Sequence, residues 1–188
     1  MKFSIVLITG NENKYREIKI LLSKFKIEIE KLDLDIPEIQ SNEIEEIISD
    51  FIKKAYEEVR KPVIAEDSGL FIRKLNGFPG PYTSYVYKTL GNEGVIKLMR
   101  DIEDRYAEFK CALAYKDDKY EKVFIGISKG KISNEIRGKG WGFDPIFIPE
   151  EASLTFGEMN VEEKNNYSHR GRAINLFIEW FRKTYMID

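Results

Sequence analysis

A chain of 188 residues is long enough to bury one sizeable core and gives no reason to expect a second domain. Hydrophobic residues at 43% and charged residues at 33% exclude a disordered chain, and a formal net charge of -2 excludes a general nucleic-acid binder, which needs surplus Lys and Arg to displace counterions. The single Cys111 excludes an intrachain disulfide, and no apolar run is long enough to span a bilayer, so the expected location is the cytoplasm, with no membrane partner.

Phe3 to Thr9 is a nearly unbroken apolar run, the pattern of a strand buried on both faces. Met1 to Ile8 could pass for a signal h-region, but it lacks a small-residue cleavage site and runs at once into Thr9-Gly10-Asn11. Tyr15, Ile18, Leu21, Leu22 and Phe25 recur at helical spacing and predict a helix from about Asn13 to Lys26. Ile27 to Glu30 alternates like a half-buried strand, and Pro37 breaks the pattern. Ile44, Ile47, Ile48, Phe51, Ile52, Ala55 and Val59 mark a second helix, with Ser41 or Asn42 as its cap.

Pro62 to Ala65 returns to strand, with Glu66-Asp67-Ser68-Gly69 where that strand should end. Strand, helix, strand, helix, strand predicts an α/β fold. Gly77 to Tyr82 reads as a rigid turn, followed by a shorter helix carrying Val95, Ile96, Leu98, Met99 and Ile102. Phe109, Cys111 and Leu113 alternate, Asp117 to Lys119 turns and Tyr120 to Ile127 comes back, an antiparallel hairpin that makes the sheet mixed. Asn160 to Glu163 is a capping box, and Ala173, Ile174, Phe177, Ile178 and Phe181 line the last helix. No repeat or linker interrupts the chain, so residues 1–188 are expected to form one domain.

Segments with chemical potential fall at the joints between these elements. In Thr9-Gly10-Asn11-Glu12-Asn13-Lys14 a strand ends and a helix begins, where free N–H groups and the dipole favour an anion. Lys14 in the first turn opposes the dipole, which an anionic ligand would compensate; the same segment is equally an ordinary Asn-capped turn. Glu66 and Asp67 could hold Mg²⁺, with Glu38 as a further acid; each alone is also what a solvated loop contains. In Gly140-Trp141-Gly142-Phe143-Asp144 the aromatics could stack a base and Asp144 could accept from a ring N–H, or the stretch is a turn with two core aromatics. Lys164 to Arg172 gathers cations at the start of the last helix with Ser168 as a cap, either donors for phosphate or a purine carbonyl, or a solvated basic face. His169 is the only histidine, so no multi-histidine metal site is possible. With no Ser/His/Asp or Cys/His nucleophile set, attack by a metal-activated water is the simplest chemistry.

These segments, in this order, resemble the inosine triphosphate pyrophosphatase family, in an archaeal-like form. The resemblance rests on Thr-Gly-Asn-x-x-Lys (9–14), Pro-Glu-Ile-Gln (37–40), Glu-Asp-Ser-Gly-Leu (66–70), Gly-x-Pro-Gly-Pro-Tyr (77–82), Gly-Trp-Gly-Phe-Asp-Pro (140–145), Thr-Phe-Gly-Glu-Met (155–159) and Lys-Asn-x-x-Ser-His-Arg (164–170). It implies an elongated mixed sheet flanked by helices, two lobes with a central active-site cleft, and usually a homodimer. It also implies Mg²⁺-dependent hydrolysis of ITP, dITP and XTP to monophosphate and pyrophosphate, which clears deaminated purines from the nucleotide pool.

Carried over by motif, Thr9, Asn11 and Lys14 would hold the triphosphate, with Ser68 a further substrate contact. Asp67, Glu38 and Glu66 would serve the metal and the attacking water. Phe143 would stack on the base with Trp141 nearby, while Asp144, Lys164, Ser168, His169 and Arg170 would surround base and phosphates. Donors from His169 or Arg170 would pair with the C6 oxygen of inosine or xanthine and reject the amino group of adenine, because mismatched buried polar groups go unpaired. Thr83-Ser84-Tyr85 lacks the arginine that many bacterial relatives place after the tyrosine; Lys53 rivals Lys54 as the family's helix lysine, and Glu43 competes with Glu38. The competing readings are a Maf-like pyrophosphatase, disfavoured by Ser168-His169-Arg170, and a non-catalytic sensor, disfavoured by Glu66 and Asp67.

Overall fold

The computed structural model describes residues 3–25 and 27–185. It shows the expected mixed α/β fold, a seven-stranded sheet with parallel and antiparallel pairs. The apolar β1 (Phe3–Ile8) pairs in parallel with β2 (Ile27–Leu32) and with β3 (Val63–Ile72), in register Val6↔Val63 and Leu7↔Ile64. Parallel neighbours require crossovers, which α1 (Glu12–Ser23) and α2 (Ile44–Val59) supply. The strand order is completed by β5 (Tyr106–Lys116), β6 (Glu121–Ile132) and β7 (Phe147–Pro149), with the two-residue β4 (Pro79–Gly80) antiparallel to β3. Lys26, where the sequence ends the first helix, lies outside the described residues, and the helix itself stops at Ser23.

The chain condenses into two compact units, one of residues 1–67, 111–126 and 170–188, the other of 68–110 and 127–169. In the first, α1 lays Ile18, Leu21 and Leu22 on the sheet, and α6 (His169–Tyr185) lays Ala173, Ile174, Phe177, Ile178 and Phe181. They cover Ile5, Leu7, Ile64, Cys111 and Leu113, each large apolar side chain contributing about 1.5–3 kcal/mol by leaving water. The β5–β6 turn is fastened in the same unit. Asp117 accepts the Lys119 and Tyr120 amides at 2.9 and 2.6 Å and the Tyr115 hydroxyl at 2.9 Å, and the Tyr185 hydroxyl donates to it from the end of α6. Burial alone would raise that carboxyl, but these donors outweigh it and hold Asp117 below its ordinary value.

The second unit is built on aromatic packing. Phe109 meets Phe147 edge-on at 4.8 Å, and Phe147 meets Phe156 at 5.1 Å, amid Leu70, Ile72, Val86, Val95 and Met99. α5 (Val161–Tyr167) begins at the expected capping box: the Asn160 carboxamide accepts the Glu163 amide, and the Glu163 carboxylate accepts the Asn160 amide, both at 2.9 Å.

Three local expectations are corrected. The cap of α2 is Glu43, with no side-chain bond of its own; Ser41 instead accepts the Glu43 amide at 3.0 Å and donates to Glu46 at 2.6 Å, so it braces the turn from two residues upstream. A helix α3 (Thr83–Thr89) precedes α4 (Gly91–Leu98), separated by Leu90, with α4 opening on Gly91 at φ +62°. Glu66 to Gly69 lie inside β3 and not at its end, because β4 extends the ladder at Leu70↔Gly80 and Phe71↔Pro79. Gly69 permits this approach: a Cβ there would stand 2.5 Å from the Gly80 carbonyl oxygen.

Candidate active site

Successive strand residues face opposite sides of a sheet. Glu66 therefore shares the face of Ile64, towards the core under α1 and α6, while Asp67 faces the other way. The Glu66 carboxylate is 1% exposed and the centre of a charge cluster. Its Oε1 accepts from Lys14 Nζ at 3.0 Å and from Arg170 Nη2 at 3.0 Å, and its Oε2 accepts from the Cys111 thiol at 3.2 Å. Arg170 Nη1 donates to Glu17 Oε2 at 2.5 Å. Burial works against the Arg170 and Lys14 charges, but Glu66 with Glu17, and Glu66 with Asp67, outweigh it and raise both groups. Burial, then Glu66, pushes the Cys111 thiol well up.

Lys14 reaches this carboxylate from the first turn of α1, which Asn11 caps. The Asn11 side chain accepts the Asn13 and Lys14 amides at 2.9 and 3.1 Å, and its own amide donates to Thr9 Oγ1 at 3.1 Å. Thr9, Asn11 and Lys14 thus form one turn, with Lys14 retaining 20% side-chain exposure and a second bond to the Glu66 carbonyl at 3.2 Å. Glu38 is exposed in the loop after Pro37. Lys54, not Lys53, reaches that loop, donating to the Pro37 carbonyl at 3.0 Å, while Lys53 pairs with Glu121 at 3.4 Å.

Among the described residues no group of three or more His, Cys, Asp or Glu side chains could hold a metal ion. The half-buried Asp67 and exposed Glu38 are hard oxygen donors, and Mg²⁺ asks for only one or two carboxylates, completing its shell with water and phosphate. The donor chemistry fits that ion.

The second unit holds the other sequence-predicted residues. Asp144, in a 3-10 turn (Asp144–Ile146), accepts from Lys164 Nζ at 2.7 Å; the two side chains are 8% and 4% exposed. The same ammonium lies 5.2 Å from the Trp141 ring centre and 5.7 Å from that of Phe156, so aromatic faces share its charge. Phe143 is 1% exposed, its ring edge-on to Tyr87 at 5.5 Å. His169 stacks on Phe109 at 4.6 Å with the rings 10° apart. Ser168 is buried in extended backbone between α5 and α6, the expected cap position, and Ser68 is half-buried in β3.

The two donors named for the base therefore part company: His169 lies among second-unit aromatics, and Arg170 is bound to Glu17 and Glu66 in the first. Sequence reasoning missed Glu17 and Cys111. Glu17 carried a signal, since it lies at i+3 from Lys14 beside the core residue Ile18, on the buried face of α1.

A profile of the Ham1 family matches residues 5–180 of the chain. The dITP/XTP pyrophosphatase of Saccharolobus solfataricus is 51% identical over 94% of this chain and 92% of its own length. That of Methanopyrus kandleri is 48% identical over 95% and 96%. Among solved structures, a HAM1 protein from Coxiella burnetii superposes with a TM-score of 0.82 at 30% identity, covering 96% of this chain and 99% of that one. The Staphylococcus aureus Ham1 protein gives 0.80 at 28% identity, with the same coverage.

Proposed function

The chain belongs to the Ham1 family, and from that premise we propose that it is a nucleoside-triphosphate pyrophosphatase acting on deaminated purines. One water cleaves the α–β phosphoanhydride bond of dITP, ITP or XTP and yields the monophosphate and pyrophosphate. The observation that carries this reading is the cation Lys14, fixed at the start of α1 by the buried Glu66, in a chain about half identical to dITP/XTP pyrophosphatases.

In this reading residues 1–188 work as a single domain, and Thr9, Asn11 and Lys14 hold the triphosphate, with Ser68 beside it. A cation within the first turn of a helix is unfavourable alone, and a polyanion there removes the conflict. Asp67 and Glu38 would hold Mg²⁺, which when bound polarises phosphate oxygens and acidifies water. Asp67 accepts the proton of the attacking water, while Glu66 keeps Lys14 and Arg170 in place; the sealed position of Glu66 supports this division.

On the base side, Trp141, more exposed than Phe143, offers the stacking face, and stacking by Phe143 requires its ring to leave the core it occupies. His169 donates to the C6 oxygen, with Asp144, Lys164 and Ser168 around it. Arg170 acts from the phosphate side, as its bonds to Glu17 and Glu66 suggest. The enzyme works in the cytoplasm as a homodimer, and the exposed Tyr82, Tyr85 and Leu90 are apolar surface that an assembly would cover.

The test is a panel of ITP, XTP, dITP, ATP, GTP, dTTP and UTP with Mg²⁺, scored for pyrophosphate against orthophosphate. Pyrophosphate mainly from ITP, dITP and XTP is the expected result. Preference for pyrimidines would point to Maf-like chemistry, and tight ITP binding without turnover to a sensor.

A further inference from the structure

The deep side of the charge cluster is closed by a group that the proposed reaction does not use. Cys111 is fully buried in β5, next to β3 in the sheet, and alternates with Phe109 and Leu113. Its thiol donates to Glu66 Oε2 at 3.2 Å. Two cations, Lys14 and Arg170, converge on the other oxygen, Oε1, each at 3.0 Å. Such crowding is not what a carboxylate adopts by default. Its terminal torsion is broad and nearly two-fold, so rotation could give one oxygen to each cation. A donor on Oε2 opposes that rotation and makes Oε1 the shared bridge.

We infer that Cys111 is a positioning residue for the proposed hydrolysis, its S–H fixing the rotation of the Glu66 carboxylate and thereby the placement of the Lys14 ammonium. This inference rests on the proposed function. Burial keeps the thiol protonated, so it is a donor and not a nucleophile. Lys14 is then held between Glu66 Oε1 and the Glu66 carbonyl, two acceptors that together define where its charge lies. A displaced ammonium would still attract a triphosphate but would meet the developing charge less well, so the effect belongs in kcat more than in KM.

The experiment compares the full-length wild type with Cys111→Ala, Cys111→Val and Cys111→Ser, with pyrophosphate release from XTP as the readout and thermal melting as the check on folding. Losing a hydrogen bond to a buried charged group predicts a fall in kcat of about tenfold for Ala and Val, with KM changed less than kcat. Serine, which restores a donor to the carboxylate, returns kcat towards wild type. A packing role alone predicts the opposite order, since serine buries a hydroxyl in an apolar core. Valine leaves no cavity at this fully buried position and serves if alanine melts below the assay temperature.

A second readout does not depend on turnover. The chain has one cysteine, so its S–H stretch is a single infrared band, lowered by donation to the carboxylate and returned towards the free-thiol position by Glu66→Gln. Wild-type kcat in the alanine and valine variants, serine as impaired as alanine, or a band indifferent to Glu66→Gln would each overturn the inference alone. A wild type that releases no pyrophosphate from any purine triphosphate would instead overturn the proposed reaction, and the inference with it.

Discussion

Two clusters bury ion pairs, in two different ways. In the first unit Lys14, Glu17, Glu66 and Arg170 form a chain of alternating sign, drawn from α1, β3 and α6 and closed by the Cys111 thiol. In the second, Asp144 and Lys164 form one pair, 20 residues apart in sequence, beneath the rings of Trp141 and Phe156. A network in which one carboxylate, Glu66, meets three donors is costly to desolvate but has one geometry. An ion pair packed against aromatic faces is cheaper to rearrange. Under the proposed function, the first arrangement would face the fixed charges of a triphosphate, and the second a planar base that must be admitted and released.

The largest expected effect tests whether the network positions but does not react. Asp67→Asn should lower kcat by about 10³ while leaving the melting temperature nearly unchanged, because Asp67 faces away from the sealed cluster. Full activity in that variant would break the assignment of the base. Next comes the network's own cohesion. Arg170→Met leaves Glu17 and Glu66 without their shared cation and should cost about 3 kcal/mol in urea unfolding. Lys164→Met should cost less, about 2 kcal/mol, and raise KM for XTP, since it takes the cation from one buried carboxylate rather than two. Equal losses in the two variants would mean that the two clusters are equally cohesive.

The smallest effect is a control outside both clusters. Asp117→Asn removes a carboxylate held by tyrosine hydroxyls and turn amides and should cost about 1 kcal/mol at neutral pH. Its carboxyl is depressed in the fold, so its stabilisation is full above the ordinary value of 3.8 and is lost as pH falls through the lower folded value. The gap between wild type and Asp117→Asn in melting temperature should therefore close in acid. A gap that widens in acid would reverse the sign of the linkage.

Much of this was legible in the chain. The apolar run of β1, the helical spacing of α1, α2 and α6, and the Asn160 capping box translated directly into structure, because each is a local pattern that burial then reinforces. Helix α3 was not, since Thr-Ser-Tyr-Val-Tyr-Lys-Thr is rich in β-branched and aromatic residues and buries only Val86. Glu66 and Asp67 read as a loop because acids in a strand are rare unless paired, and the Glu66 partners Lys14 and Arg170 lie 52 and 104 residues away. Cys111 looked like core for the same reason: its alternation with Phe109 and Leu113 is local, whereas the carboxylate it meets belongs to another strand.

Because Glu66 and Asp67 are consecutive in β3, the faces of the sheet they occupy are a matter of parity. The pairing of Val6 with Val63 and Leu7 with Ile64 sets which carboxylate meets the cations and which faces away. Deleting one residue between Pro62 and Ala65 would swap the two sides without changing any side chain of the site. Natural drift and library design in this strand can accordingly explore replacements at Val63 or Ala65, but length there is as constrained as the acids themselves.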